Sequence, residues 1–342
     1  MRVLYHLPIL PPQMPAGEAL SQEIQMLRDA IGGDLIYVNP NGQSPVYIPR
    51  LLFGLAMLKR IRAAERETDL HHFYNPDPFP FPYLLRLERP VIYTLSSGLG
   101  DARIAARYFN RLGAVTVYDE RSLERLRKAG VKNAQLIPPG IDTTRFSCMP
   151  LPLAQDLRLL VASAPWTQAQ FRTKGIDALL GAAQRDPQLH LTFLWRGVLL
   201  EEMQERIRRH GLGAQVTVIN AFVDVNQILA TVHATVVLAS DGRVIKAYPH
   251  SLMESLAAGK PVLVSRAIPM AESVSKMGCG IVVDTLAPGT VSRAIAALRA
   301  DYGRLAAQAA GVGQHDFSSQ RSLAAYSQLY RAMVNAGKGH LP

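Results

Sequence analysis

The chain has 342 residues, of which 48% are hydrophobic and 19% charged, and its formal net charge is +10. This length exceeds what one hydrophobic core usually supports, so the sequence predicts two globular domains. No apolar run reaches the roughly 20 residues of a membrane span, and Cys148 and Cys279 lack the spacing of a metal site or a disulfide framework.

The positive charge indicates an anionic partner, for which nucleic acid, a nucleoside diphosphate and an anionic membrane surface are the candidates. The chain carries no zinc-finger spacing and no aromatic-rich RNA-binding motif, so we expect no nucleic acid. The segment Met1–Pro8 is typical of a first strand rather than a signal peptide. We therefore expect a cytoplasmic protein, with peripheral attachment to the inner membrane face as an option.

Short apolar runs alternate with helical patterns along the first half, which favours a parallel sheet with crossover helices. The predicted strands are Arg2–Leu7, Asp34–Val38, Leu70–Tyr74, Pro90–Leu95, Ala114–Tyr118 and Ala134–Ile137. The predicted helices cover about Gly17–Ala30, Pro49–Arg66, Gly100–Leu112 and Ser122–Ala129.

The second of these helices combines an apolar stripe with a basic one. The apolar residues are Ile48, Leu51, Leu52, Leu55, Leu58 and Ile61, and the basic ones are Arg50, Lys59, Arg60, Arg62 and Arg66. Such a helix could rest on anionic lipid. We favour the alternative, an ordinary helix that packs on the sheet and exposes a solvated basic face.

A polar linker near Ser147–Asp156 separates a second run of alternating elements. The strands predicted there are Leu157–Ser163, Leu189–Leu194, Val216–Asn220, Ala234–Leu238, Pro261–Ser265 and Gly280–Val283. Two such units describe two Rossmann-like domains that face a cleft, where ligands bind outside the carboxyl ends of the strands.

The segment Tyr248–Ser265 joins a Pro/His/Ser turn to an amphipathic helix, a glycine stop and a buried strand. A helix that begins at His250 and Ser251 directs unpaired N–H groups and the positive end of its dipole at the space in front of it, which suits a phosphate. Glu254 lies about one turn further along, where a carboxylate can accept hydrogen bonds from ribose hydroxyls.

This segment resembles the donor-binding motif of the retaining GT-B glycosyltransferases of family 4, in which Glu-x7-Glu precedes Ala-x-Gly-x-Pro-Val. Leu136–Phe146 resembles the turn that closes the first domain in that family. The resemblance implies an acceptor-side Rossmann-like domain at 1–150 and a donor domain at 157–315. It also implies a last helix at 316–335 that returns to the first domain.

The family's diphosphate-binding Arg and Lys map onto two positions of the second domain. Lys174, followed by Gly175, matches the Lys, while Ser163 stands where the Arg is expected and Arg172, in a longer loop, is placed to reach back. Cations there would stabilise the charge that develops on the leaving diphosphate. By the same resemblance Glu254 binds ribose and His250 and Ser251 contact phosphate, although Ser251 could also cap the helix.

Lys246 departs from the family, because the first Glu of the pattern falls on this residue. Three interpretations remain open: Lys246 replaces the missing Arg at the phosphate, pairs with a carboxylate on an acidic sugar, or marks a weakened catalytic site. We favour the first, since one cation is lost and another gained.

The first domain carries weaker signals. Gly17 is the one glycine left in a loop that is glycine-rich in the family, and Ser96 and Ser97 follow a strand after which many relatives have His. No catalytic residue can be assigned. Asp224-Val225-Asn226 is interpreted as a helix start rather than a metal site, so we expect neither a metal nor another cofactor.

The resemblance implies transfer of a hexosyl group, with retention, from a nucleoside-diphosphate sugar to a lipid-linked or polysaccharide acceptor. A nucleotide-sugar 2-epimerase shares this architecture, but the Pro-Pro-Gly-Ile-Asp turn and the Tyr-Pro-His-Ser segment argue against it. A non-catalytic sugar-nucleotide or membrane-surface binding protein also remains, because Ser96, Ser163 and Lys246 depart from the family.

Overall fold

The computed structural model describes residues 1–12, 19–148, 151–195, 197–242 and 245–338. The chain divides into two compact units. The first consists of Met1–Gly140 and Ser319–Pro342, and the second of Ile141–Ser318. The division falls between Gly140 and Ile141, whereas the sequence predicted that the first domain ends at residue 150.

The first unit contains a parallel six-stranded sheet in the order β2-β1-β3-β4-β5-β6. Its strands are β1 Val3–Leu7, β2 Asp34–Tyr37, β3 Leu70–Asn75, β4 Val91–Leu95, β5 Ala114–Val117 and β6 Ala134–Leu136. All six predicted strands of this half form. Four are buried along their whole length, as expected for a parallel sheet covered on both faces.

The helices that the structure describes in this unit are α1 Ala19–Ile31, α2 Leu58–Glu65, α3 Ala106–Phe109, α4 Glu120–Lys128 and, near the end of the chain, α13 Ser319–Lys338. Residues of α1 and α13 pack with one face of the sheet. Residues of α2, α3 and α4 pack with the hydrophobic cluster that includes Leu4, Phe73 and Tyr93.

The helix predicted at Pro49–Arg66 is wrong in its first half. A short 3-10 turn at Arg50–Leu52 comes first, and α2 begins only at Leu58. The break comes at Gly54, whose φ of +78° suits glycine and whose missing side chain makes room for the Tyr83 ring.

The helix predicted at Gly100–Leu112 shrinks to the four residues of α3. Leu99 is buried, and the carbonyl of Ala102 accepts a hydrogen bond of 2.9 Å from the guanidinium of Arg125 on α4. These tertiary contacts hold residues 100–105 in an irregular path, which the helical sequence pattern did not predict.

Helix α13 reaches the first sheet through polar as well as apolar contacts. The Tyr330 hydroxyl lies 2.5 Å from Nδ1 of His72 on β3, and Nε2 of the same imidazole lies 2.6 Å from Oγ1 of Thr94 on β4. All three side chains are buried. The sequence pattern indicates only an amphipathic helix here. In the structure, the hydroxyl of Tyr330 on this helix also forms a hydrogen bond with the buried imidazole of His72.

The second unit contains another parallel six-stranded sheet, in the order β12-β11-β10-β7-β8-β9. Its strands are β7 Leu157–Val161, β8 Leu189–Leu194, β9 Val216–Ile219, β10 Ala234–Val237, β11 Val262–Ser265 and β12 Gly280–Val283. All six predicted strands form here as well. The chain order reverses between β7 and β10, the neighbouring strands at the centre of the sheet.

The helices of this unit, within the described ranges, are α5 Gln168–Thr173, α6 Ile176–Arg185, α7 Leu200–Arg209, α8 Val225–Thr231, α9 His250–Ala257, α10 Met270–Met277, α11 Pro288–Ala300 and α12 Tyr302–Asp316. The predicted helix start at Asp224 is correct, because its carboxylate accepts a hydrogen bond of 3.0 Å from the N–H of Asn226. Of the helices that the structure describes, none has the length and apolar character to cross a bilayer.

Candidate functional site

The candidate residues of the second unit lie where the order of its sheet reverses. The loop and short helix after β7 carry Arg172 and Lys174, and the segment after β10 leads through Lys246 to α9. In open parallel sheets this reversal opens a crevice at the carboxyl ends of the two central strands, and ligands bind there. Sequence spacing alone did not give the strand order that brings these two segments together.

Lys174 is a buried cation. Its side chain keeps only 8% exposure, and Nζ donates a hydrogen bond of 2.8 Å to the carbonyl of Ala164, in the loop that follows β7. Burial lowers the pKa of this ammonium group. Across the described residues no carboxylate pairs with it. A buried ammonium without a counterion is costly, and an anionic ligand would remove that cost.

The backbone around Lys174 is fixed by the neighbouring strand. Gly175 adopts φ +67°, and a Cβ at this position would lie 2.8 Å from the side chain of Leu238, just after β10. The N–H of Ser240 also donates a hydrogen bond of 2.8 Å to the carbonyl of Thr173. The lysine therefore sits on a turn clamped to the end of β10, which explains why a glycine follows it.

Arg172 has a different environment. It lies on α5 rather than in the longer loop that the sequence suggested, and its side chain is exposed. The next residue back, Phe171, is buried, and the guanidinium of Arg206 stacks 4.2 Å above its ring. The structure thus places one buried and one exposed cation on the same short segment.

Helix α9 begins at His250, as predicted, with Pro249 as its N-cap residue. Pro249 makes no side-chain capping bond, and the first turn contains no acidic residue. Ser251 lies inside the first turn and is not the capping residue, so that alternative is wrong. The backbone N–H groups at the start of this helix can donate hydrogen bonds to a phosphate oxygen.

Glu254 lies one turn into α9 and is half-buried. Its predicted role as a ribose ligand stays a prediction, and its position on the helix is compatible with it. Lys246 is also half-buried and stands four residues before the helix. Both residues belong to the segment that runs from the end of β10 into α9.

The carboxyl end of α9 is locked against α12. A Cβ built on Gly313 would lie 1.8 Å from the carbonyl oxygen of Leu256, so the two backbones meet where only glycine fits. Gln314 donates a hydrogen bond of 2.6 Å to the carbonyl of Ala257. The helix that presents Glu254 is therefore held by backbone contact at its far end.

The weaker candidates of the first unit lie at the carboxyl end of β4. Ser96 is buried, and its N–H donates a hydrogen bond of 3.0 Å to the carbonyl of Asn75, while Ser97 is half-buried. Gly17 lies outside the described residues. His71 and His72 are both buried, because each face of the sheet is covered, so neither is accessible to a substrate.

Sequence reasoning missed a cavity of about 720 Å3 after β8. Gly197, Val198, Leu199, Leu200, Glu201, Glu202, Glu205 and Arg208 line it. Leu199 adopts φ +66°, the one positive value among the described residues other than glycine. A Cβ on Gly197 would lie 3.7 Å from Ala164, so the cavity adjoins the loop that Lys174 contacts. No residue type in this loop signals a site.

Comparison with known proteins agrees with this architecture. Residues 168–311 match the family model of the glycosyl transferases group 1. The resemblance to glycosyltransferases of this group is confirmed, and the matched segment contains both Lys174 and α9. No curated protein matches the chain by sequence.

Solved structures share the fold over nearly the full chain. HepE of Anabaena, in complex with UDP, has a TM-score of 0.73 at 16% identity and covers 97% of this chain and 100% of its own. Sucrose-phosphate synthase from Thermosynechococcus elongatus has a TM-score of 0.75 at 17% identity, covering 98% and 100%. WaaG, a glycosyltransferase involved in lipopolysaccharide biosynthesis, has a TM-score of 0.65 at 16% identity, covering 95% and 98%. The predicted GT-B fold is confirmed.

Among the described residues, no group of three His, Cys, Asp or Glu side chains could hold a metal ion. The sequence likewise assigns no metal ligand.

Proposed function

We propose that the protein is a glycosyltransferase that moves a hexosyl group from a nucleoside-diphosphate sugar to an acceptor hydroxyl, with retention and without a metal. The observation that carries the proposal is the buried, uncompensated ammonium of Lys174 at the central crevice of the second sheet. A diphosphate at that place would receive this charge and the N–H groups at the start of α9. The match of residues 168–311 to the glycosyl transferases group 1 supports the same reaction.

The nucleoside is proposed to lie toward the cavity beside Leu199, because that cavity adjoins the Ala164 loop. Its ribose would meet Glu254, and its phosphates Lys174, Arg172, His250 and Ser251. HepE was solved with UDP, so UDP is the first nucleotide to test.

The acceptor is proposed to be a lipid-linked glycan or a growing polysaccharide. WaaG, which shares the fold, acts in lipopolysaccharide biosynthesis, and the basic charge of this chain suits an anionic surface. We also propose a cytoplasmic location with peripheral attachment to the membrane. Turnover of a panel of nucleotide sugars tests the function, and nucleotide binding without any turnover would favour the non-catalytic alternative.

Glu254→Ala should weaken binding of the nucleoside diphosphate by about 1–3 kcal/mol, because ribose hydroxyls lose a charged acceptor. The protein should stay folded, since the side chain is only half-buried and α9 is anchored at its other end. Isothermal titration calorimetry with UDP, GDP, ADP, TDP and CMP measures the effect. Glu124→Ala, an exposed glutamate on α4 of the first unit, is the matched control, and equal affinity of the Glu254 variant and the wild type would remove Glu254 from the site.

Lys246 separates two donor classes. If its ammonium binds phosphate, Lys246→Ala weakens UDP and every UDP-sugar alike. If it pairs with an acidic sugar, only a uronic-acid donor suffers. Lys246→Glu should be harmful in both cases, because it places a carboxylate beside an anion in a partly desolvated site. Faster turnover of a neutral sugar by Lys246→Glu would instead identify a decayed catalytic position.

A further inference from the structure

A cluster of apolar side chains lies exposed on the first unit, between β2 and α2. Val46 is 68% exposed, Tyr47 80%, Leu51 50% and Leu52 44%. Single exposed apolar residues are ordinary, but neighbouring ones mark a surface that contacts something else. We call residues 46–52 the apolar turn.

Arg50 fixes the shape of the apolar turn. Its guanidinium donates two hydrogen bonds of 2.7 and 2.9 Å to the carboxylate of Asp77 and stacks 4.6 Å above the ring of Phe79. Leu51 and Leu52 follow directly on this anchored residue, so their exposure is built into the fold. Arg50 is itself engaged and does not belong to the basic stripe that the sequence predicted.

Basic residues continue the surface on one side of the apolar turn. The turn at Pro82–Arg86 packs against Arg50–Leu52, and Arg62 of α2 donates a hydrogen bond of 3.0 Å to the carbonyl of Arg86. The exposed cations on and beside α2 are Lys59, Arg60, Arg62, Arg66, Arg86 and Arg89. The apolar and basic groups therefore adjoin each other on a single unit.

Three of these arginines share a pocket of about 330 Å3, lined by Arg62, Arg66 and Arg89 together with Glu65 and Glu88. Hydrogen bonds to the carboxylate of Glu65 hold the base of this pocket in place. The buried carboxylate of Glu65 accepts hydrogen bonds of 2.8 and 3.1 Å from the N–H groups of Glu88 and Arg89. These bonds hold the loop before β4 against α2, so the guanidinium groups are brought together before any ligand arrives. Such groups bind phosphate oxygens well.

We propose that the apolar turn and the arginine pocket form a docking surface for a bilayer that contains anionic lipid. Phosphate headgroups would lie at Arg62, Arg66 and Arg89, and Tyr47, Leu51 and Leu52 would enter the interface beside them. Charge complementarity favours this occupant over a second copy of the chain, because two such basic surfaces would repel each other. The surface lies in the first unit, and its test does not depend on donor binding.

Sedimentation with vesicles tests the proposal. The wild-type protein should bind phosphatidylcholine vesicles that contain phosphatidylglycerol, release them as the salt concentration rises, and bind pure phosphatidylcholine far more weakly. Equal binding to both vesicle types, or binding to neither, would overturn the proposal. UDP affinity measured on the same samples reports the donor site separately.

Charge reversal locates the surface. The triple variant carries Arg62→Glu, Arg66→Glu and Arg89→Glu. Its partitioning from solution onto the anionic vesicles should fall about a hundredfold, since each cation near an anionic bilayer contributes roughly a factor of five to the partition coefficient. The control variant carries Arg209→Glu, Lys276→Glu and Arg293→Glu, which make the same change in net charge on the second unit. It should bind the anionic vesicles nearly as well as the wild-type protein does. Equal losses in the two variants would mean that net charge alone drives binding and that no docking surface exists.

Tyr47→Ser with Leu51→Ser tests the apolar part. This variant should bind more weakly at every salt concentration, because the loss of apolar contact is not screened. Thermal unfolding checks that both variants remain folded. A wild-type dimer in light scattering that this double variant abolishes would show instead that a second copy of the chain covers the surface.

Discussion

Lys174→Met is expected to weaken nucleoside-diphosphate binding by about 2–3 kcal/mol while leaving the protein folded. The ammonium is buried and donates one hydrogen bond, to Ala164, so a diphosphate would receive its remaining donors and all of its charge. Calorimetry with UDP measures the loss of affinity.

The stability of the same variant distinguishes a functional lysine from a structural one. Replacing the ammonium by an isosteric apolar group removes one hydrogen bond but also removes an uncompensated buried charge. These changes oppose each other, so the free energy of unfolding should stay within about 1 kcal/mol of the wild-type value. Lys276→Met, an exposed lysine of the same unit, is the control. Large destabilisation together with unchanged UDP affinity would assign Lys174 to the fold.

Stability is expected to fall as the pH drops below about 6.5, because two histidines are buried in the first sheet in their neutral form. Burial lowers the pKa of His6 and His72 well below the ordinary value of 6.5. Below that pH the unfolded chain binds two protons that the folded chain excludes, so the free energy of unfolding falls with the pH. The loss should be about 3 kcal/mol between pH 7.5 and pH 5.5, because each of the two imidazoles contributes its full slope of roughly 1.4 kcal/mol per pH unit only below pH 6.5.

Urea unfolding followed by far-UV circular dichroism at several pH values measures this loss. His72→Gln should remove about half of it, since Gln can bond to Tyr330 and Thr94 without titrating. His210→Gln, at the surface of the second unit, is the matched control. A wild-type midpoint that does not change over this pH range would show that the two imidazoles do not oppose protonation.

The sequence by itself determined the strands and the start of α9. All twelve predicted strands form, because runs such as Val91–Leu95 and Val262–Ser265 are short, mostly apolar and directly preceded by proline, which favours a buried parallel strand over a helix. The helix at His250 was equally predictable, since Pro249 can precede a helix but cannot continue one from upstream. The candidate site was foreseen as a set of residues for the same local reasons.

Only the tertiary structure decided the features that depend on contacts between distant segments. The order of the second sheet places the Lys174 turn beside the end of β10, and burial leaves that ammonium without a counterion. The sequence pattern predicts a helix from Pro49 onward, but α2 begins only at Leu58. Gly54 packs under the Tyr83 ring, and Arg50 forms hydrogen bonds with Asp77, and these contacts hold the first half of the segment in a non-helical path. The helix propensities of ordinary residues differ by less than about 1 kcal/mol per residue. One ion pair or one buried aromatic ring contributes a similar amount. Tertiary contacts therefore decided the local structure wherever they disagreed with the sequence pattern.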